Sequence, residues 1–319
     1  MQITVTNLVL SGSDRPRLNN VSLKIRDQST AIVGYSGAGK TSLLNVLAGF
    51  EVPDSGTVDL KRDRTDSSLP LFWVPQNGGL WAHMTVRQHL TTLENALESQ
   101  KLAISTDELL FRMDLQQRQT ARPGQLSEGE RSRLAIARAL ASGAEMLLLD
   151  EPLSHVDPAR REKYWKVITE ITETHGISLV FSSHELEAVI RESEQVICIN
   201  EGQIIYHGPT RTLYDNPPDR IPGEFLGRLN WFTAGEAWKW LQQEISEDSV
   251  GIRPERVILR PDPSSLLEIS ETRYSGHRSE TSIVNTQTGE GRSLLHRVEV
   301  SNLGPGDRVK IEWLAVDQD

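Results

Sequence analysis

Two groups of residues have types and spacing suited to chemistry. The first is Gly34-Tyr35-Ser36-Gly37-Ala38-Gly39-Lys40-Thr41, set between the apolar run Thr30-Ala31-Ile32-Val33 and Ser42-Leu43-Leu44-Asn45-Val46-Leu47. It fits G-x-x-x-x-G-K-[ST] between a buried strand and a helix, the setting in which that pattern cradles phosphates. The glycines let the backbone take positive φ and bring N–H groups close to an anion. A helix starting near Lys40 adds unpaired N–H groups and the positive end of its dipole. Lys40 then reaches the β- and γ-phosphates and the Thr41 hydroxyl ligates Mg²⁺, so a nucleoside triphosphate is the expected ligand. The alternative is a chance glycine turn with a solvated lysine.

The second group is Met146-Leu147-Leu148-Leu149-Asp150-Glu151-Pro152. Four apolar residues suit the centre of a parallel sheet covered on both faces, with two carboxylates at its carboxyl end. Ligands of open α/β sheets bind at that end, beside the phosphate loop. Asp150 would hold Mg²⁺, through water, and Glu151 would polarise the water attacking the γ-phosphate. The alternative is that both acids cap the following helix.

Three further positions are ambiguous alone. Gln76 ends the strand-like run 69–76, where a glutamine is commonly a loop residue. Leu126-Ser127-Glu128-Gly129-Glu130 precedes a helical pattern over 131–141. Ser127 and Glu130 make a capping box, so local evidence favours a well-made helix start. His184 follows the strand pattern 177–182 and could face the γ-phosphate or serve structure alone.

These groups need a sheet and helices to hold them. Residues 3–10 and 21–25 read as strands, the phosphate-loop helix ends near Gly49, and Pro53-Asp54-Ser55-Gly56 turns into an alternating stretch at 57–60. Residues 85–98 and 106–113 show helical spacing, with Val86, Leu90, Leu93 and Leu97 on one face, which suggests a helical insertion. Leu153-Ser154-His155-Val156-Asp157-Pro158 leads into a helix over 158–174, and residues 200–208 read as a hairpin before a short helix at 210–216. Residues 217–223 read as a linker and 234–245 as helix, with Trp231, Trp238 and Trp240 either a ligand platform or, the favoured reading, packed between domains. Beyond residue 250, strands at 256–259, 266–274, 280–285, 293–300 and 308–314 suit a small OB-type barrel.

The chain has 319 residues, enough for two domains, with a net charge of −10, which argues against coating nucleic acid or lying on an anionic bilayer. The single cysteine, Cys198, rules out a disulfide framework and sits in an apolar run that suggests burial. The N-terminus lacks the regions of a signal peptide, and no apolar stretch is long enough to span a bilayer. A cytosolic protein is expected, with any spanning helices supplied by another subunit.

The order of motifs is more specific than any one of them, and residues 1–217 resemble an ABC-transporter ATPase subunit. Gly34 to Thr41 matches the Walker A motif, Gln76 the Q-loop, Leu126 to Glu130 the signature and Met146 to Glu151 Walker B. Ser154 to Asp157 matches the D-loop and His184 the switch histidine. The resemblance implies a P-loop α/β nucleotide-binding domain over 1–217 with a helical subdomain at about 84–142. A linker and helix follow at 218–249, then a regulatory TOBE domain of OB type over 250–319. The last rests on Gly251-Ile252-Arg253-Pro254-Glu255-Arg256-Val257 and on Gly304-Pro305-Gly306-Asp307-Arg308-Val309 with Trp313.

It further implies ATP and Mg²⁺ as cofactors and a head-to-tail dimer, with itself or a close relative, enclosing two ATP molecules. Gly34, Ser36, Gly37, Ala38, Gly39, Lys40, Thr41 and Ser42 would hold the nucleotide, with Ser127 and the Gly129 N–H facing the γ-phosphate in trans. Thr41, Gln76 and Asp150 would hold the metal, and Glu151, His184 and Lys40 would carry catalysis. Gln76 would also report nucleotide state to a permease subunit docking near 77–89, and Asp157 would couple the two sites. The expected function is to energise an importer from the cytoplasmic face of the inner membrane, served indirectly by a solute-binding protein and without nucleic acid. A regulatory ATP-binding subunit and a soluble ABC ATPase are the alternatives.

Four departures stand out. The signature carries Glu128 where glycine is usual and Glu130 where glutamine is usual, and the D-loop carries His155 where a small residue is common. No aromatic residue precedes Walker A to stack the base, which leaves Arg15 or Arg17 as a cationic plane.

Overall fold

The computed structural model describes residues 1–26, 28–62, 69–96, 104–276, 278–297 and 303–314. The chain divides into two compact units, Met1–Thr210 and Arg211–Asp319. Among the described residues, no helix is long and apolar enough to cross a membrane.

The first unit begins with β1 (Gln2–Leu10), β2 (Leu18–Ile25), β3 (Thr30–Val33), α1 (Lys40–Leu47), β4 (Ser55–Lys61) and β5 (Leu71–Val74). It continues through α2 (Val86–Ala96), α3 (Thr106–Arg112), α4 (Glu128–Leu140), β6 (Met146–Asp150), α5 (Pro158–His175) and β7 (Ser178–Ser182). It closes with α6 (Leu186–Glu192), β8 (Gln195–Asn200) and β9 (Gln203–Pro209). Helix α7 (Thr210–Asp215) starts at the boundary of the two units.

Six strands form one sheet in the order β5-β6-β7-β3-β8-β9, and β2-β1-β4 form a smaller antiparallel sheet. The first five strands of the large sheet run parallel, and β9 returns antiparallel at its edge. Every residue of β3, β6 and β7 is buried, the pattern expected where both faces are covered. Ile3, Leu8, Leu18 and Ile25 of the small sheet share one core with Leu43 and Leu44 of α1 and with Leu148 of β6. Cys198 lies in that buried sheet, and burial pushes its thiol up to about 12, so it behaves as an apolar residue.

The helical layer is tied together by charge. Val86 and Leu90 of α2 are fully buried and Leu93 is half-buried, as their spacing predicts, whereas Leu97 and the end of that expected helix lie outside the described residues. Arg133 of α4 donates to the carbonyls of Met113 (2.6 Å) and Asp114 (2.9 Å), closing the end of α3. Asp114 in turn accepts from Lys163 (2.6 Å), Arg160 (2.8 Å) and the Tyr164 hydroxyl (2.8 Å) of α5. Burial pushes its carboxyl up, but the hydrogen bonds from Lys163 and Tyr164 outweigh this and hold it below the ordinary range.

The second unit contains α8 (Arg220–Phe225), β10 (Asn230–Thr233), α9 (Ala234–Glu236) running into a π-turn at Ala237–Leu241, β11 (Ser249–Ile252) and β12 (Val257–Pro261). Then come β13 (Leu267–Tyr274), β14 (Arg278–Asn285), β15 (Gly291–Arg297) and β16 (Val309–Trp313). Four sequence expectations change here. The stretch expected as linker holds α8, because Asp219 caps its first N–H and Pro222 falls in the first turn, where its missing N–H costs nothing. The helix expected over 234–245 ends at Leu241, with Gln242 in the left-handed region, and the flanking β10–β11 pair has no counterpart in the expected strands. The strands pair as three small antiparallel sheets, β10-β11, β12-β16 and β13-β14-β15, not one continuous barrel ladder among the described residues.

Trp240 packs within this unit's own core with Phe232, Ile252 and Ile283, while Trp238 is exposed. Arg253 is 1% exposed because its guanidinium donates to three carbonyls, those of Tyr214 (2.9 Å), Gly227 (2.7 Å) and Gly223 (3.0 Å). A buried cation is tolerated when its donors are so matched.

Candidate active site

Four parallel strands deliver the candidate residues to one edge of the large sheet. β3 runs into the Gly34–Lys40 loop, β6 ends on Asp150, β7 ends on Ser182 before His184, and β5 ends two residues before Gln76. β7 lies between β3 and β6, pairing Ser182 with both Ile32 and Asp150. One strand therefore separates the phosphate loop from the acids.

The loop is as tight as its glycines require. A Cβ on Gly34 would sit 2.2 Å from the Ile199 carbonyl oxygen, and Gly39 takes φ 112° with the Arg17 carbonyl 2.6 Å from where its Cβ would lie. Only glycine fits either position. Gly39 is the N-cap of α1, so the loop backbone passes straight into the helix N-terminus. The Lys40 ammonium donates to the carbonyls of Gly34 (2.8 Å) and Tyr35 (3.1 Å), lying along the loop it belongs to.

Asp150 meets the start of α1 directly. The Thr41 hydroxyl donates to Asp150 Oδ2 at 2.8 Å, and the Ser182 hydroxyl donates to Asp150 Oδ1 while accepting from the Glu151 N–H at 3.0 Å. Asp150 is 2% exposed, a burial permitted by these two bonds. Glu151 has φ 50°, a sparsely populated conformation for a non-glycine residue, and its Oε2 lies 2.6 Å from His184 Nδ1. The Glu151 carbonyl accepts from the Ser154 hydroxyl at 3.0 Å, and Asp157 caps α5 through the Ala159 N–H at 3.0 Å.

Thr41 and Asp150 offer hard oxygen donors at one point, and Gln76 lines the same cavity of about 260 Å³ as Asp150 and Glu151. Among the described residues no cluster of three or more His, Cys, Asp or Glu could hold a metal alone. One carboxylate beside a phosphate cradle suits Mg²⁺, which is usually held by one or two carboxylates together with phosphate oxygens.

The signature segment forms its own corner. Ser127 accepts from the Glu130 N–H at 3.2 Å, and Glu130 accepts from the Ser127 N–H at 2.8 Å, closing the capping box. Burial pushes the Glu130 carboxyl up, but the Ser127 N–H and Arg118, at 2.9 Å, hold it below its ordinary value. Gly129 follows on the first turn of α4. On the same helix, Arg138 donates to the carbonyls of Gly79 (2.8 Å) and Gly78 (3.0 Å), just past Gln76, and stacks over Trp81.

Several site features were not anticipated from sequence. Ser182 bridges both acids, yet only the strand register places it there. Glu128 and His155, two unusual residues far apart in sequence, face each other at 3.4 Å. Of the residues considered for the base, Arg17 pairs with both Glu51 carboxylate oxygens and donates to Ser11 O, while Arg15 pairs with the exposed Glu201.

The family described as ABC transporter matches residues 18–154. The chain is 30% identical to the spermidine/putrescine import ATP-binding protein PotA of Nitratidesulfovibrio vulgaris, an alignment covering 94% of this chain and 92% of that protein. It is 37% identical to the thiamine import ATP-binding protein ThiQ of Ruegeria sp., over 62% of this chain and 88% of that one. The post-hydrolysis dimeric ATP-binding cassette MJ0796, bound to ADP and Pi, shares the fold with a TM-score of 0.57 at 23% identity, covering 66% of this chain and 99% of that one. With a full-length relative on one side and a shared cassette fold on the other, this chain belongs to the ABC transporter ATPase family.

Proposed function

We propose that the chain binds and hydrolyses ATP with Mg²⁺ as one half of a two-copy ATP sandwich and drives solute import through separate membrane subunits. The observation that carries this reading is the 2.8 Å bond between Thr41 and Asp150, with Glu151 and His184 alongside. Residues 34–42 cradle the phosphates through the loop backbone, Lys40 and the hydroxyls of Ser36, Thr41 and Ser42. Mg²⁺, held by Thr41, Asp150 and Gln76, supplies charge neutralisation at the phosphates. Glu151 takes the proton of the attacking water and His184 holds that carboxylate in place. Ser127 and the Gly129 N–H of the second copy face the γ-phosphate, and Asp157 links the two sites. Arg15 stacks on the base, since its pair with Glu201 is open to solvent whereas Arg17 is held by both Glu51 and the Ser11 carbonyl.

A groove of about 640 Å³ lined by Phe50, Phe72, Trp81, Asn77 and Arg138 adjoins the Gln76 loop and is the surface for the membrane subunit. The second unit acts as a TOBE-like regulatory domain, supported by its short antiparallel strands and by its inclusion in the PotA alignment. Relatives named for polyamine and for thiamine import share the ATP-binding segment, so solute choice belongs to the membrane and receptor subunits. The place of work is the cytoplasmic face of the inner membrane.

The test is Glu151→Gln. Phosphate release should fall by at least about 10²-fold, the contribution of a positioned general base, while ATP now accumulates a stable dimer in gel filtration. Equal phosphate release by wild type and variant, with the membrane partner present, would favour a regulatory ATP-binding subunit, the reading that the carboxylate at Glu128 supports.

A further inference from the structure

The two unusual residues of the signature and D-loop meet. Glu128 Oε2 lies 3.4 Å from His155 Nδ1, and its other oxygen is 3.7 Å from the Arg131 guanidinium. All three side chains line the 260 Å³ cavity that also holds Asp150 and Glu151 of the same chain. The turn carrying His155 is braced from both sides. Arg161 donates to the carbonyls of Val156 (2.8 Å) and Ser154 (3.1 Å), and Ser154 donates to the Glu151 carbonyl. The signature backbone rests on this turn, since a Cβ on Gly129 would lie 3.1 Å from the His155 carbonyl oxygen.

We infer that His155 is a positioning residue for the signature. It draws the Glu128 carboxylate inward over its own chain, so that the Ser127 hydroxyl and the Gly129 N–H, not a negative charge, face the triphosphate bound by the second copy. The inference rests on the two-copy reading above. Like charges repel most where water is scarce, so a carboxylate left free to swing toward the γ-phosphate opposes closure. A ring nitrogen 3.4 Å from that carboxylate, carried on a rigid turn, counters it, and Arg131, fixed by its bond to the Leu126 carbonyl at 2.7 Å, helps from the helix side. Glu128 is 66% and His155 42% exposed, so the contact adds little to folding, and its effect is read in nucleotide-driven assembly.

The experiment uses the full chain carrying Glu151→Gln, and measures by light scattering the ATP concentration that half-saturates dimer formation. Adding His155→Ala should raise that concentration about tenfold without moving the melting temperature or monomer affinity for a fluorescent ATP analogue. His155→Arg, which keeps a nitrogen donor on the turn, should restore the parent value. Glu128→Gly should cancel the effect, so that the His155→Ala and Glu128→Gly combination falls within about twofold of Glu128→Gly alone. If His155→Ala matches the parent, or if Glu128→Gly leaves the defect in place, His155 does not act through Glu128. A parent that stays monomeric at saturating ATP overturns the two-copy reading itself, and the inference with it.

Discussion

The corner at Asp150 and the corner at Ser127 are built by different means. Asp150 and Ser182 are almost fully buried, and their meeting is dictated by the register of neighbouring parallel strands. Ser127, Glu128 and Glu130 are placed by a single helical turn and by ion pairs at the surface. The first corner cannot move without disturbing the sheet. The second presents exposed side chains on the first turn of α4, which suits a surface proposed to be completed by another copy of the chain.

That contrast is most easily broken at Asp150. Asp150→Asn keeps the shape but removes the charge, and should lower Mg²⁺-dependent phosphate release by at least about 10²-fold, the scale of a lost electrostatic contact in a transition state. A variant within threefold of wild type would show that the buried corner is not where the chemistry happens. Ser182→Ala comes next. It strips a partner from a buried carboxylate oxygen and from the Glu151 N–H, so a loss of about 1–3 kcal/mol is expected in chemical denaturation.

The exposed corner should respond less. Ser127→Ala removes an N-cap acceptor and should cost about 1 kcal/mol of stability, seen as a lower melting temperature. A drop as large as that of Ser182→Ala would erase the distinction between the corners. The smallest effect concerns acid. The Glu130 carboxyl sits below its ordinary 4.5 when folded, so its ionised form stabilises the fold above that pH, and the gain is lost as pH falls through the lower folded value. Glu130→Gln keeps the acceptor for the Ser127 N–H, should change stability by only about 0.5 kcal/mol near neutrality, and should flatten the loss measured below pH 4.5.

What could be read in advance follows the same division. The phosphate loop, the buried run at 146–150 and the capping box each announce themselves within a few residues, because strand, turn and cap chemistry are local. Ser182 was invisible as a site residue, since nothing near it in the chain says which strand will lie beside it. The Glu128–His155 contact was hidden for the same reason, each residue looking anomalous until the fold brought them together. In the second unit the alternating strands were legible, but the β10–β11 pair was not, because the Trp-rich segment between these strands has helical spacing and little strand character.

Arg138 bears on what the groove beside Gln76 can recognise. Its forked nitrogens point inward onto the Gly78 and Gly79 carbonyls, and its flat face lies under Trp81. An acidic visitor would find no open salt-bridge arm there, and the carboxylate of the lining, Glu51, is held by Arg17, which leaves ring faces and a rim of amides. Selection at that surface should depend on contour more than on charge, so raising the ionic strength should weaken docking far less than filling the hollow with a bulkier side chain.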